Sequence, residues 1–519
     1  MITIKEAEEI LKKEYHLDNY SYLIGEILLN DFTKDEHDVI FNNQLFKSVK
    51  QLGYSNSCQL TVFEVYLNEG CQNKRVLITQ EMFKILRGLR IDNAIVSFVN
   101  NDINNYRISL LTSKYEYDGD KIIKVISNPR RFSYSLGYGT KTKTAYKYLI
   151  SKGKVKDLEE LISRFSVEVV NKQFYSEIAE AFTKLIGGKF GSKKYDRTLV
   201  FNRTIDEKKY SEFGVRLIGR ILFCWFLREK KSDNGIALIP NKFFDKETIL
   251  NSELYYNEIL EPLFFELLNT KINRRKNEFL EGEFRLIPYL NGGLFSPHPD
   301  DNYLYNPDKK TCADRVSIPN EWFLDLYQTL SEYNFTVDEN TAYDIELSID
   351  PEMLGRIFEN LLAEINPETG ENAKKNTGSF YTPRDVVDYM VDTSLFQYLK
   401  KETNIDDVAL KGLISYSKED DLYVFNDFEK KSIIDALYKV TVYDPACGSG
   451  AFPIGMLQKI VYILQELDPT AKMWLNKSTD NIDPIFKREI ENKFSVGSLN
   501  YIRKISVIQN LDLTFNLLL

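Results

Sequence analysis

The densest apolar run in the chain is VRLIGRILFCWFL at 215–227, and it carries Arg216 and Arg220 within it. A membrane span requires ~20 apolar residues, so this shorter, charged run predicts a buried helix. Upstream, LTVFEVYL (60–67) alternates apolar and polar positions as a half-buried strand does, and ITQEMFKILRGL (78–89) has helical spacing. NAIVSFV and YRISLLT read as further strands, and a charged helix opens the chain. Residues 1–165 are therefore expected to be α/β. Residues 166–345 read as mainly helical, through runs such as YSEIAEAFTKLI and NEILEPLFFELLN. Within them IPYLNGGLFSPHPDD (287–301) is a loop, with Gly292-Gly293 making a turn.

From 346 the periodicity sharpens. Leu354, Ile357, Phe358, Leu361 and Leu362 repeat at three and four, one face of a helix. A polar stretch follows, and then GSFYTPRDVVDYMV (378–391). Thr382 suits an N-cap, Pro383 the first helical position, and Asp385 the acid of a capping box. Val386, Val387, Met390, Val391 and Leu395 are expected to form the buried face of that helix. A further helix (431–439) leads into a strand, KVTVYD, and a third unit spans 346–519.

Composition narrows the class. Apolar residues make up 43% and aromatics 13% of the 519 residues, ample for large cores. Five scattered cysteines and only three histidines argue against a disulfide framework, a zinc site or histidine-based catalysis, and fit a reducing cytoplasm. No metal site and no membrane segment are expected. The net charge of −9 does not suggest a polyanion partner, but residues 121–156 hold ten Lys/Arg and no Asp or Glu. Such a single-sign segment, with tyrosines interleaved, is either a phosphate-contacting surface or a solvated basic face. Arg130, Arg131, Lys141 and Lys143 are the candidate DNA contacts.

The candidate chemistry centres on VYDPACGSGAF (442–452). Two glycines just after a strand let backbone approach a ligand closely. A helix expected to begin near Ala451 would aim its free N–H groups and positive dipole end at that ligand. A dinucleotide fingerprint would need glycine where Pro453 stands, and the Gly-Lys-Ser/Thr of a Walker loop is absent.

The pair of motifs, Gly-Ser-Phe-Tyr-Thr-Pro at 378–383 and then Asp-Pro-Ala-Cys-Gly-Ser-Gly at 444–450, resembles N6-adenine DNA methyltransferases of the gamma motif order. DPEMLGRIFENLL (350–362), YLNGGLF (289–295) and RRFSYSLGYGTKTKTAYKYL (130–149) are similar to segments of type IIG restriction–modification enzymes. The resemblance implies a nuclease-like α/β domain (1–165), a helical connector (166–345) and the start of a class I, Rossmann-like methyltransferase domain (346–519). It implies S-adenosylmethionine as cofactor, lined by Asp444, Ala446, Gly448 and Gly450 and closed by Phe380, Tyr381, Thr382 and Pro383. Cys447 would be a small buried filler, and the partner would be double-stranded DNA.

The sequence departs from that family in two places. The Asn/Asp-Pro-Pro-Tyr/Phe tetrapeptide that orients a flipped adenine is missing, since the chain has fifteen prolines and no Pro-Pro pair. Asp512 is a poor match to the ribose-binding acid. The expectation is thus an amino-terminal portion with no catalytic residue of its own, completed by a downstream fragment. The alternative is a non-catalytic DNA- and cofactor-binding fragment, or one half of a split enzyme. The nuclease motif is also incomplete. Glu64-x-Tyr66 has tyrosine where lysine should stand, Asp31, Asp35 and Asp38 are loose candidates for the first acid, and Glu64 is expected on a solvent face.

Overall fold

The computed structural model describes residues 4–72, 74–101, 103–118, 121–201, 206–229, 236–290, 293–301, 316–336, 344–349, 353, 355, 384–416, 423–445, 450–470 and 472–478. Its first unit is built on a seven-stranded mixed sheet. The strands are β1 (Thr33–Asp38), β2 (Phe46–Ser55), β3 (Leu60–Leu67), β4 (Asn93–Val99), β5 (Asn105–Asp118), β6 (Lys121–Gly137) and, from far along the chain, β11 (Asp344–Glu346). They lie in that order across the sheet. Neighbours are antiparallel except β3/β4 and β6/β11, which are parallel.

Helix α2 (Arg75–Gly88) makes the crossover between β3 and β4. It packs Ile78, Met82, Phe83 and Leu86 on one face of the sheet, against Phe63, Val65, Val96 and Phe98. Helix α1 (Ile4–Leu11) and the helical segment through Leu28 cover the other face, against Val62, Ile95 and Leu110. Both faces of the central strands are buried, so β4 reads as a near-continuous apolar run broken inside the strand only by the buried Ser97. The expected strands at 60–67 and 93–99 are found.

After the short helix α3 (Leu158–Arg164), the second unit is helical: α4 (Val167–Ile186), α5 (Glu207–Glu229) and α6 (Asn320–Leu330) surround π-helical turns at 256–268. Its core is rich in aromatic side chains, with Trp225 stacked on Tyr327 at a ring-centroid distance of 5.5 Å. The run at 215–227 is interior to α5, as expected, and among the described residues no helix is long and apolar enough to cross a membrane. The loop 293–301 is pinned to α5, because Arg220 donates to Leu294 O, Ser296 O and the buried Asp301. Between α4 and α5 lie two short strands, β7 (Gly188–Phe190) and β8 (Lys193–Tyr195), paired as a ribbon, followed by β9 (Val200–Phe201) against β10 (Val316–Ser317). Strand β11 crosses the boundary expected at 345. Its Glu346 reaches back into the first unit, to Arg75 of α2 at 3.2 Å and Ser135 of β6 at 2.7 Å.

The third unit, as far as it is described, is a helical cluster: α7 (Arg384–Glu402), α8 (Asp407–Ile414), α9 (Asp427–Lys439), α10 (Ala451–Leu467) and α11 (Lys472–Ser478). Asn426 and Glu429 form a capping box at the start of α9. Helix α8 stands between the expected helices, where no element was expected. Two expectations are corrected. Residues 440–444 form no strand among the described residues, since no described neighbour offers them a ladder to pair with. On α7 the buried residues are Val387, Val391, Leu395 and Leu399, while Val386 and Met390 are 44% and 47% exposed. The buried stripe is narrower than the apolar pattern suggested, because only one side of α7 meets α10. Of the helix expected at 354–362 only residue 355 is described, and it is helical; the caps Thr382 and Pro383 lie outside the described residues.

Candidate functional site

The glycine loop begins where α9 ends at Val440, and Asp444 is half-buried and Pro445 exposed. Gly450 closes it. It is buried, has φ 84° and ψ 16°, and stands at the N-cap of α10, its carbonyl accepting from Ile454 N at 3.0 Å. That left-handed backbone is costly for any residue with a Cβ, so the turn into the helix favours glycine here. The expected helix start at Ala451 is found, with Pro453 in the first turn. Asp444 and Gly450 are thus the candidate cofactor residues that the structure describes. Phe380, Tyr381, Thr382, Pro383, Ala446 and Gly448, with Cys447 and Asp512, lie outside the described residues.

The structure adds a relation that the sequence reading missed. A Cβ added to Gly455 would lie 2.8 Å from Val387 Cγ1 and 3.3 Å from Val391 Cγ2. Helices α7 and α10 therefore cross in direct contact at Gly455. Val387 is the fourth residue of α7 and Gly455 the fifth of α10, so the crossing lies about one turn, ~5.4 Å, from each helix start. The helix that follows the Tyr-Thr-Pro motif and the helix that follows the glycine loop begin side by side. A glycine in the middle of an apolar helix was the available signal.

Lys459 was also missed. It is 1% exposed, donates to Ile414 O at 3.0 Å, and pairs with Asp392 at 2.8 Å. Its ammonium lies 3.4 Å from the Tyr416 ring centroid. Burial pushes the Asp392 carboxyl up from its ordinary value, and Lys459 opposes the shift. One lysine so ties α7, α8 and α10 behind the loop. On the far side, Gln80 of α2 donates to Tyr416 O at 3.1 Å and Tyr462 OH at 2.9 Å. The glycine-loop unit is docked on α2 of the first unit.

The basic segment divides. Arg130 is exposed, but the next residue of β6 faces the opposite way. Arg131 is 2% exposed, donates to Ser109 Oγ and Thr79 Oγ1 at 3.1 Å each, and stacks 4.2 Å over Phe98. It is an interior bracket between α2 and the sheet, and this corrects its assignment as a DNA contact. Lys141 is exposed, with its backbone held by Asn334 in both directions. Lys143 forms an ion pair with Glu332. The helical unit therefore supplies acid that the segment itself lacks.

The residual nuclease motif is closed. Glu64 is not on a solvent face, because residues 15–28 lie across it. It is 7% exposed and accepts from Tyr15 OH at 2.8 Å, and Ser97 Oγ donates to the same tyrosine at 3.1 Å. Burial pushes its carboxyl up, against the pull of Tyr15 and Lys50. Asp31 lies elsewhere, held down to about 2 by the Ser55 hydroxyl and the Ser57 amide and hydroxyl. Asp35 accepts from Gln51, and Asp38 is exposed. Among the described residues no group of three His, Cys, Asp or Glu stands ready for a metal.

A mixed sheet, an aromatic-rich helical middle and a glycine-capped helix define a multi-unit α/β protein with a candidate small-ligand loop. Over 276 residues the chain is 30% identical to a protein of Methanocaldococcus jannaschii named "Putative type II restriction enzyme and methyltransferase". The match covers 51% of this chain and 21% of that protein, so the chain spans about a fifth of its relative's length. It relates the chain to restriction–modification proteins. No family model matches the chain, and no solved structure matches it.

Proposed function

We propose that the chain is the cofactor-binding and DNA-contacting part of an adenine-N6 DNA methyltransferase of a restriction–modification system, of type IIG-like layout and acting in the cytoplasm. The observation that carries the reading is the crossing of α7 and α10 at Gly455, which sets two helix starts side by side. Each of those starts follows one of the two motifs that resemble S-adenosylmethionine motifs. S-adenosylmethionine supplies an electrophilic methyl group. Gly450, with positive φ at a helix N-terminus, fits the close backbone approach of such a ligand, and the half-buried Asp444 can accept from its polar groups. Ala446, Gly448 and Phe380 through Pro383 complete the proposed shell.

Double-stranded DNA is the proposed substrate, met in part by Arg130 and Lys141. A second reading is favoured by one sequence fact, that the 519 residues contain no Pro-Pro pair. In that reading this polypeptide binds cofactor and DNA, and a further polypeptide supplies the acceptors that orient the adenine amino group. Titration calorimetry with S-adenosylmethionine tests the site. Binding is expected in the parent and lost in Gly450→Val, whose branched side chain is strained at positive φ and fills the approach. Equal binding by that variant overturns the assignment of this loop.

A further inference from the structure

The ribbon β7–β8 stands out among the features that the proposed site does not use. It is closed by the two-residue turn Gly191-Ser192, where Gly191 has φ 58°. Its base is held firmly. Arg197 Nε donates to Ile186 O at 3.1 Å, and its guanidinium lies 3.8 Å over the Tyr210 ring. One face of the ribbon is turned onto α4, where Glu180 accepts from the Tyr195 hydroxyl and pairs with Lys193 at 3.3 Å.

The cations of this neighbourhood fall into two sets. Lys184 pairs with Asp325, Lys193 with Glu180 and Arg197 with Glu207. Lys189 and Lys194 are exposed and belong to no ion pair among the described residues. They are also direct cross-strand partners. Partners in register project from the same face of a ribbon, here the one opposite Lys193 and Tyr195. Like charges directly opposite one another destabilise a ribbon. A phosphodiester laid between the two ammonium groups would relieve that repulsion and be held from both sides.

We propose that Lys189 and Lys194 form a phosphate clamp on the backbone of duplex DNA, a contact element separate from residues 121–156. It rests on the proposed DNA reading. The clamp reads no sequence, because it meets only the backbone. Its test is fluorescence anisotropy of the full chain with a labelled duplex, over salt from about 50 to 200 mM. The comparison includes the parent, Lys189→Gln/Lys194→Gln, and a charge-matched control, Lys13→Gln/Lys246→Gln, at two exposed lysines elsewhere. The clamp variant should bind roughly tenfold more weakly at ~0.1 M salt and lose about 0.9 from the log–log salt slope, the value for the one phosphate that both lysines hold. Its melting temperature should be unchanged or raised, since a like-charge pair has been removed. A clamp variant with parental affinity and slope overturns the proposal while leaving the DNA reading in place, as does an equal loss in the control. A parent that binds no duplex at all overturns both.

Discussion

Replacing Gly455 by alanine sets two effects of known sign against each other. In an open helix the change should stabilise by about 1 kcal/mol through propensity. Here the new methyl would lie 2.8 Å from Val387 Cγ1, about 0.7 Å inside the ~3.5 Å at which carbons begin to meet comfortably. Val387 and Val391 are 1% and 3% exposed, so neither can swing aside into solvent. Overpacking of this kind costs roughly 1–3 kcal/mol, which outweighs propensity and leaves a net loss of about 1 kcal/mol. In a Val387→Ala background the nearest obstacle is gone, and the same substitution should become neutral or stabilising by a few tenths of a kcal/mol. The expected coupling in the double-mutant cycle is therefore about 1–2 kcal/mol, beyond the ~0.3–0.5 kcal/mol within which independent sites add. Trp474 is buried in the same cluster and can report it by fluorescence during urea unfolding, in a background with Trp225→Phe and Trp322→Phe. Additive effects, or a stabilised Gly455→Ala single variant, would show that α7 and α10 do not meet closely at Gly455.

Two buried glutamates should respond to pH in opposite senses. Burial raises the Glu64 carboxyl, so the folded state disfavours its charge, and the stability it contributes at low pH is lost as pH rises through its raised value. Glu64→Gln should therefore melt higher than the parent at neutral pH and converge with it below about pH 4; a variant that melts lower at neutral pH would contradict this. Burial alone would raise Glu346 too, but Arg107, Arg75 and the Ser135 hydroxyl hold it below its ordinary value. Its contribution is present at neutral pH and lost as pH falls through that lowered value. Glu346→Ala should cost about 3 kcal/mol at neutral pH by leaving two arginines largely buried without their acid; a loss under ~1 kcal/mol would reduce the contact to a surface pair. Lys459→Met should destabilise the glycine-loop unit, since Asp392 and Ile414 O lose their donor, and protection of α10 amides from hydrogen exchange should fall; unchanged protection would contradict it.

How much was legible follows from how local each signal was. The strands at 60–67 and 93–99 and the helix at 215–227 were carried by periodicity within a single window, and they stand where expected. The start of α10 was carried by glycine and proline chemistry, which is equally local. What failed depended on partners far along the chain. Glu64 looked exposed because its cover comes from residues 15–28, and Arg131 looked like its neighbour Arg130 until β6 assigned them opposite faces. Val386 and Met390 fit an apolar helix stripe, but α10 is too narrow to cover them. The meeting of the two motif helices at Gly455 joins residues far apart in sequence, and no window holds both.

The central claim is that the helix starts at 384 and 451 flank one S-adenosylmethionine site. Direct ultraviolet photolabelling with methyl-labelled S-adenosylmethionine, followed by peptide mapping, tests it most directly. The account predicts label in peptides covering 378–391 or 442–456, suppressed by excess unlabelled cofactor and absent in Gly450→Val. Label confined to other peptides, or labelling that excess cofactor does not suppress, would contradict it.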